Sequence, residues 1–275
     1  MSVAGERIVL EPGSADRHYW RDLWAYREIF LILVWRDIKV RYKQTVVGIA
    51  WAILRPLLTM IVLTVVFGRL GKFPSEGDAP YALMVFAGML PWFLFSSALS
   101  EASGSIVGNA AMVGKVYFPR LLIPLAAIGG TLADFLVSFA LLLPLMAWYR
   151  YLPGWQALLV PAFVLLALVA SVGPGIWLTA LNVKYRDFRY VIPFLLQIGL
   201  YVSPVGFTSA MIPPEWRILY SLNPLVGVID GFRWCLLGAT PYWPGLATSA
   251  AVSVLFLWLG LRRFRATERS FADML

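Results

Sequence analysis

Side chains able to do chemistry are few and scattered in this chain. His18 is the only histidine and Cys235 the only cysteine. A zinc site built on histidines is therefore excluded, because one cysteine cannot supply the missing ligands. A lone cysteine also has no intrachain disulfide partner. No Gly-x-Ser-x-Gly elbow occurs, which leaves serine hydrolysis without a visible nucleophile. Gly108, Gly114 and Lys115 imitate a phosphate loop, but Val116 stands where that loop needs Ser or Thr, and the glycines lie one residue too far apart. No nucleotide site is expected in the chain, and no cofactor. Within apolar stretches the acids are Glu101 and Asp134. Glu101 is expected to reach water near the end of its span. Asp134 lies deep, where a carboxylate is costly; it either marks a functional site or is packed against a neighbouring Ser or Tyr. Neither has a second carboxylate placed to share acid–base work. Arg55, just before Pro56, either snorkels to the interface or points into an aqueous path.

The elements that must position these residues follow from composition. Of 275 residues, 60% are hydrophobic, and aromatic residues at 15% outnumber charged ones at 14%. Mean hydropathy is +0.75. A soluble domain carries about 25% charged residues, and a disordered chain is far less apolar, so the class is an all-α polytopic membrane protein. The net charge of +8 comes from basic residues at the ends of long apolar segments. That is the pattern of membrane topology rather than a basic patch for nucleic acid, so no nucleic-acid partner is expected.

A helix needs roughly 20 apolar residues to cross about 30 Å of hydrocarbon. On that rule six spans are predicted, at 49–67, 81–103, 121–149, 158–180, 191–211 and 244–261. The third is over-long and requires a tilt or an interfacial turn. Residues 1–22 form a polar tail without the pattern of a secretory signal peptide. Residues 23–47 form an amphipathic helix, 48–265 the six-span domain and 266–275 a second tail. Six spans place both termini on one side. Lys and Arg are concentrated there: Arg36, Lys39, Arg41 and Lys43 before the first span, Lys115 and Arg120 after the second, Lys184, Arg186 and Arg189 after the fourth, Arg262, Arg263, Arg265 and Arg269 after the last. The other side holds only Arg69, Lys72, Arg150, Arg217 and Arg233. The bias predicts both termini in the cytoplasm.

Three elements are not spans. The segment before the first span reads as a basic helix lying on the cytoplasmic leaflet. At about 100° per residue, Leu31, Val34, Trp35, Ile38 and Tyr42 share one face, Arg36, Lys39 and Lys43 the opposite one, and Asp37 pairs with Arg41 at the flank. It is either a plain anchor or a collar at an entrance where its cations meet an anionic headgroup. Between spans two and three, Asn109 is a candidate N-cap and Gly114 a stop for a helix of little more than one turn. This is either a connector or a plug for a partner subunit. On the outer side, Asn223-Pro224 starts a helix running to Leu237 and ending at Gly238. It is too short to span, and Asp230 and Arg233 form an i,i+3 pair on it. Residues 215–222 form a second short helix. Pro and Gly within spans open polar backbone to a cavity, and the aromatic residues around them suit sugar rings or lipid chains.

The stretch Arg36-Asp-Ile-Lys-Val-Arg-Tyr-Lys-Gln-Thr-Val-Val-Gly-Ile-Ala-Trp-Ala-Ile-Leu-Arg-Pro56 resembles the amphipathic helix and first span of type-2 ABC exporter permeases. More narrowly it is similar to the Wzm-like exporters of O-antigen, capsule and teichoic acid. Lys115-Val-Tyr-Phe-Pro-Arg120, Asn182-Val-Lys-Tyr-Arg-Asp-Phe-Arg189 and Leu222-Asn-Pro-Leu225 match in the same order. The resemblance implies a homodimer in the bacterial inner membrane, with two copies of a separate ATPase subunit that binds the ATP and Mg. It implies that Asn109, Ala110, Met112, Val113 and Lys115 form a coupling helix docking on that ATPase, and that the basic helix is an interface helix. Trp51, Arg55, Phe194 and Tyr201 become candidate channel-wall residues, and Trp216, Asn223, Asp230 and Arg233 belong to periplasmic gate helices. The implied substrate is a polyprenyl-diphosphate-linked polysaccharide, O-antigen first, exported to the periplasm; Arg36, Lys39 and Lys43 would meet its diphosphate among the membrane lipids. A teichoic-acid exporter and a type-2 exporter of a small lipid or drug remain as alternatives. A membrane enzyme lacks its acid or histidine cluster, and a channel lacks a selectivity sequence.

Overall fold

The structure is a computed structural model that describes residues 19–43, 46–116, 118–185 and 187–271. His18, Arg186, most of the 1–22 tail and the last four residues of the 266–275 tail lie outside the described residues, as does the Arg269 side chain.

The segment expected as one helix over 23–47 is two. α1 (Tyr19–Ala25) and α2 (Arg27–Tyr42) meet at Tyr26. α3 (Val46–Leu63) carries Pro56 inside it and widens into a π-helical stretch over Thr64–Leu70. α4 (Tyr81–Gly108) is followed by the single turn α5 (Ala110–Val113). α6 (Leu122–Trp148) is one continuous helix, so the over-long third span needs no interfacial turn. A 3₁₀ turn at Trp155–Leu159 leads into α7 (Val160–Lys184). Then come α8 (Phe188–Val202), α9 (Pro214–Tyr220), α10 (Pro224–Leu237) and α11 (Trp243–Thr267).

Five stretches among the described residues are long and apolar enough to cross a membrane: Ala50–Leu70, α4, α6, α7 with its leading turn, and α11. α8 is shorter than these, and the stretch predicted to span at 191–211 is one continuous helix only as far as Val202. Its 15 residues cover about 22 Å at 1.5 Å each. Ser203 is extended because it precedes Pro204, whose ring excludes the α conformation from the residue before it. Beyond it the chain makes only a 3₁₀ turn at Ser209–Met211, capped by the Thr208 hydroxyl. The last span runs past its predicted end, so part of the expected tail is helix.

α4 is the axis of the molecule. It is buried along most of its length and packs against α6, α7 and α10. Thr179 and Asn182 of α7 donate to the carbonyls of Ala102 and Ser103 at 2.7 and 2.8 Å. Such side-chain hydrogen bonds join helices where no water competes. α7 meets α11 through Gly173 and Gly260, whose backbones lie so close that a Cβ on Gly260 would stand 2.1 Å from the Gly173 oxygen. α3 and α8 stay at the periphery, each against a different side of α4.

Candidate functional site

At the α5 end, α2 lies across α6. Its inward face is Phe30, Leu33, Val34, Asp37 and Arg41, which fits a 3.6-residue period one step away from the predicted face. Leu31 and Trp35, of the apolar face predicted to lie on the leaflet, do not join the inward face and are exposed. The reason is the polar cluster that α2 has to reach. One arm of the Arg41 fork, Nη2, donates to Glu101 Oε1 of α4 at 2.6 Å, and the other, Nη1, donates to Asp134 Oδ2 of α6. The Tyr42 hydroxyl donates to the second oxygen of Asp134. Burial, together with the bond to Asp134 and its charge, holds the Tyr42 phenol well above its usual range. Asp134 is thus a packed, hydrogen-bonded acid, and a cation it was not expected to meet takes up its charge. The predicted Asp37–Arg41 pair is absent; Asp37 takes Arg36 at 2.8 Å instead. Of the entrance cations, Arg36 is spent on that pair. Lys39 lies 5.3 Å over the Trp35 ring, and both Lys39 and Lys43 are exposed.

α5 is the predicted single turn. Asn109 does not cap it; the Asn109 amide instead donates back to the Ser105 carbonyl at 2.8 Å. Lys115 is exposed, and Asn109, Ala110 and Met112 are half-buried. Val113 is buried in a cluster with Tyr19, Phe118, Leu121 and Phe264 and so anchors the turn. A clasp beneath α5 was not foreseen. Tyr19 donates to Glu268 at 3.1 Å, Arg265 lies 4.7 Å over the Tyr19 ring, and Arg120 donates to the Glu268 carbonyl. The N- and C-terminal helices therefore meet under the turn.

Trp51 on α3, and Phe194 and Tyr201 on α8, are exposed. Arg55 is exposed too, with its guanidinium 5.4 Å over the Phe93 ring of α4. The Trp92 ring beside it reaches Gly199 of α8. Consecutive aromatics of α4 thus meet Arg55 of α3 on one hand and Gly199 of α8 on the other.

At the α10 end, the helix forms where predicted. Asn223 accepts from the Leu225 N–H at 3.1 Å, Pro224 occupies the first turn, and Gly238 closes the helix at φ 67°. Asn223 also donates to Ser203 Oγ at 3.0 Å, tying α10 to the end of α8. Trp216 of α9 is exposed. The predicted Asp230–Arg233 pair does not form. Arg233 is fully buried and donates to the carbonyls of Met84, Val205 and Phe207, at 3.3, 3.0 and 2.9 Å, with Glu76 Oε1 at 3.5 Å. Asp230 accepts from Ser209 Oγ at 2.6 Å, and its other oxygen is buried with no partner. Burial pushes the Asp230 carboxyl up to about 6, against the pull of Ser209 and Arg233. Sequence reasoning missed Glu76 and Ser209 because both lie in irregular segments far from α10 in the chain. Among the described residues, no group of His, Cys, Asp and Glu is arranged to hold a metal.

The description ABC-2 type transporter matches residues 28–237. The O-antigen export system permease protein RfbA of Myxococcus xanthus is 28% identical over 256 residues, 92% of this chain and 97% of that protein. A protein of the same name from Klebsiella pneumoniae is 25% identical over 90% of this chain and 95% of its own length. The Polysialic acid transport protein KpsM of Escherichia coli is 26% identical over 86% of this chain and 92% of its own length. A match running from α2 through α10, on a chain built of long apolar helices, establishes that this protein belongs to the ABC-2 type transporter family.

Proposed function

We propose that the chain is the permease subunit of an ATP-driven exporter that moves a polyprenyl-diphosphate-linked polysaccharide, O-antigen first, from cytoplasm to periplasm. It acts as a homodimer in the bacterial inner membrane, with two copies of an ATPase subunit that bind ATP and Mg. The α5 end faces the cytoplasm and the α10 end the periplasm, in line with the Lys and Arg bias of the sequence. α8 and the segment after it make the remaining crossing. α5 and Lys115 meet the ATPase, Lys39 and Lys43 draw the diphosphate, and α9 and α10 form the outer gate.

The observation that carries this reading is the exposed Arg55, within the first two turns of the apolar stretch Ala50–Leu70. A cation facing lipid at that depth is costly. In this reading that face borders a wet path or a second copy of the chain, with Trp51 exposed on the same helix and Phe194 and Tyr201 exposed on α8. The names of the near-full-length relatives supply the cargo class. The test is affinity purification of the tagged chain from its native host in mild detergent, followed by mass spectrometry. An ATPase subunit at equal stoichiometry is expected. A chain that purifies alone, from a host whose surface polysaccharide survives deletion of its gene, overturns the proposal.

A further inference from the structure

The connection between α6 and α7 packs on α10 and is apolar where it faces outward. Residues 148–159 read Trp-Tyr-Arg-Tyr-Leu-Pro-Gly-Trp-Gln-Ala-Leu-Leu, with one cation, Arg150, and no acid. Trp148 and Leu158 are each 82% exposed, Leu152 90% and Trp155 69%. These side chains do not sit on a loose loop that could fold them inward. The Tyr149 and Tyr151 N–H groups donate to the carbonyls of Leu145 and Met146, at 3.2 and 2.9 Å, and Arg150 turns between them at φ 52°. The Tyr151 hydroxyl donates to the Leu237 carbonyl of α10 at 2.5 Å, and the Trp155 ring stands edge-on to Trp234 of α10 at 6.3 Å. The tip is therefore gripped on its inner side and bare on its outer side. We propose that this tip is a seat in the phospholipid headgroup layer, with Trp148, Leu152 and Leu158 against the roots of the acyl chains and Arg150 on lipid phosphate. The seat is independent of which leaflet lies at that end and of the cargo the chain moves.

Depth, composition and charge select a lipid as the occupant. α6 has 27 residues, about 40 Å at 1.5 Å each. Hydrocarbon alone is about 30 Å thick, and the bilayer with its headgroups about 40–45 Å. A helix of that length ends among the headgroups, between the acyl chains and bulk water. Trp, Tyr and Arg suit that layer because each has an apolar body and a polar end. In bulk water the exposed Trp148, Leu152, Trp155 and Leu158 would form an apolar patch with nothing to cover it. From Phe135 to Tyr185 the chain carries no carboxylate, so nothing along α6, the tip or α7 repels lipid phosphate. Because Tyr151 and Trp155 grip Leu237 and Trp234, the seat holds the C-terminal end of α10 at headgroup depth.

The purified full chain with its co-purifying subunits is placed in nanodiscs of phosphatidylcholine, with an NBD fluorophore on Leu152→Cys. Cys235 has no exposed surface, and the parent chain taken through the same labelling sets the background. Quenching by a 5-doxyl phosphatidylcholine in the bilayer is compared with quenching by iodide in the water. The doxyl lipid is expected to lower the emission about threefold and iodide to leave it nearly unchanged, as headgroup depth requires. Trp148→Asp with Leu158→Asp, in the labelled chain, puts two carboxylates on the seat and is expected to reverse the two quenchers. Both side chains are exposed, so no core packing is removed, and size-exclusion elution checks the fold. Should the double variant fail to fold, Leu152→Cys alone decides. Strong iodide quenching with a silent doxyl lipid overturns the proposal, because the tip then stands in water. Weak quenching by both overturns it too, because protein, such as a second copy of the chain, then covers the tip. So does a folded double variant whose label stays with the lipid, because the seat then does not rest on these side chains.

Discussion

Two arginines sit at opposite ends of α4 and are handled differently. Arg233, near Met84, has no exposed surface and gives its protons mainly to backbone carbonyls, with Glu76 at the edge of contact. Arg41, at the Glu101 end, is 28% exposed and gives its fork to two carboxylates, one of them half-exposed. A buried guanidinium among carbonyls dictates where the loops carrying those carbonyls must run. Arg233 thereby fixes the segment after α8 against α4 and α10. A partly exposed guanidinium between carboxylates is screened by water and salt and joins three helices without freezing them. The cluster at the α10 end is thus part of the scaffold, and the one at the Glu101 end is an adjustable junction just ahead of the turn α5.

The comparison breaks most readily at Arg233. Arg233→Met is expected to cost about 3–5 kcal/mol, because Glu76 and three carbonyls lose their donor in a buried site. Thermal unfolding of the purified protein measures it; a loss below about 1 kcal/mol would mean that Arg233 is no scaffold. Next comes Asp230. Its carboxyl is raised from 3.8 to about 6 in the folded protein, so the native state holds its proton more tightly than the unfolded chain does. The stability this gives is complete below about pH 4 and is lost as pH rises to about 6, on the order of 3 kcal/mol. Melting temperature plotted against pH for wild type minus Asp230→Asn is expected to fall across that window; a flat difference removes the buried, ionisable carboxyl. The smallest effect belongs to the inner junction. Arg41→Met is expected to cost about 1–2 kcal/mol, with Asp134→Asn in the same chain restoring part of it, and the cost shrinking in high salt. A salt-independent loss as large as that of Arg233→Met would erase the distinction between the two ends.

Much of the fold was legible in the chain. Asn223, Pro224 and Gly238 delimit α10 through local backbone chemistry: a side-chain acceptor for a free N–H, a ring that needs no N–H, and a residue at ease with positive φ. Long apolar runs marked α3, α4, α6, α7 and α11 because only length and composition decide whether a helix suits hydrocarbon. The end of α8 was misplaced because hydropathy continues through Ser203-Pro204, whereas the helical backbone stops at Val202. Asn109 was misread as a cap because the preceding helix runs on to Gly108 and takes its side chain back to Ser105.

The candidate site divides the same way. Pattern and resemblance singled out Lys39, Lys43, Trp51, Arg55 and Lys115, and all five are exposed. The pairings did not. Local spacing suggested Asp37 with Arg41 and Asp230 with Arg233, since each pair is within a helical turn. The structure sends all four side chains elsewhere, Arg41 to residues 60 and 93 positions away and Arg233 to one 157 positions away. The sequence by itself determined the solvent this protein requires, the helices that solvent favours, and the caps at their ends, because each depends on neighbours along the chain. Only the tertiary structure decided which charge meets which, because a buried ion is stabilised by whatever partner packing brings within hydrogen-bond reach, whatever its distance in sequence.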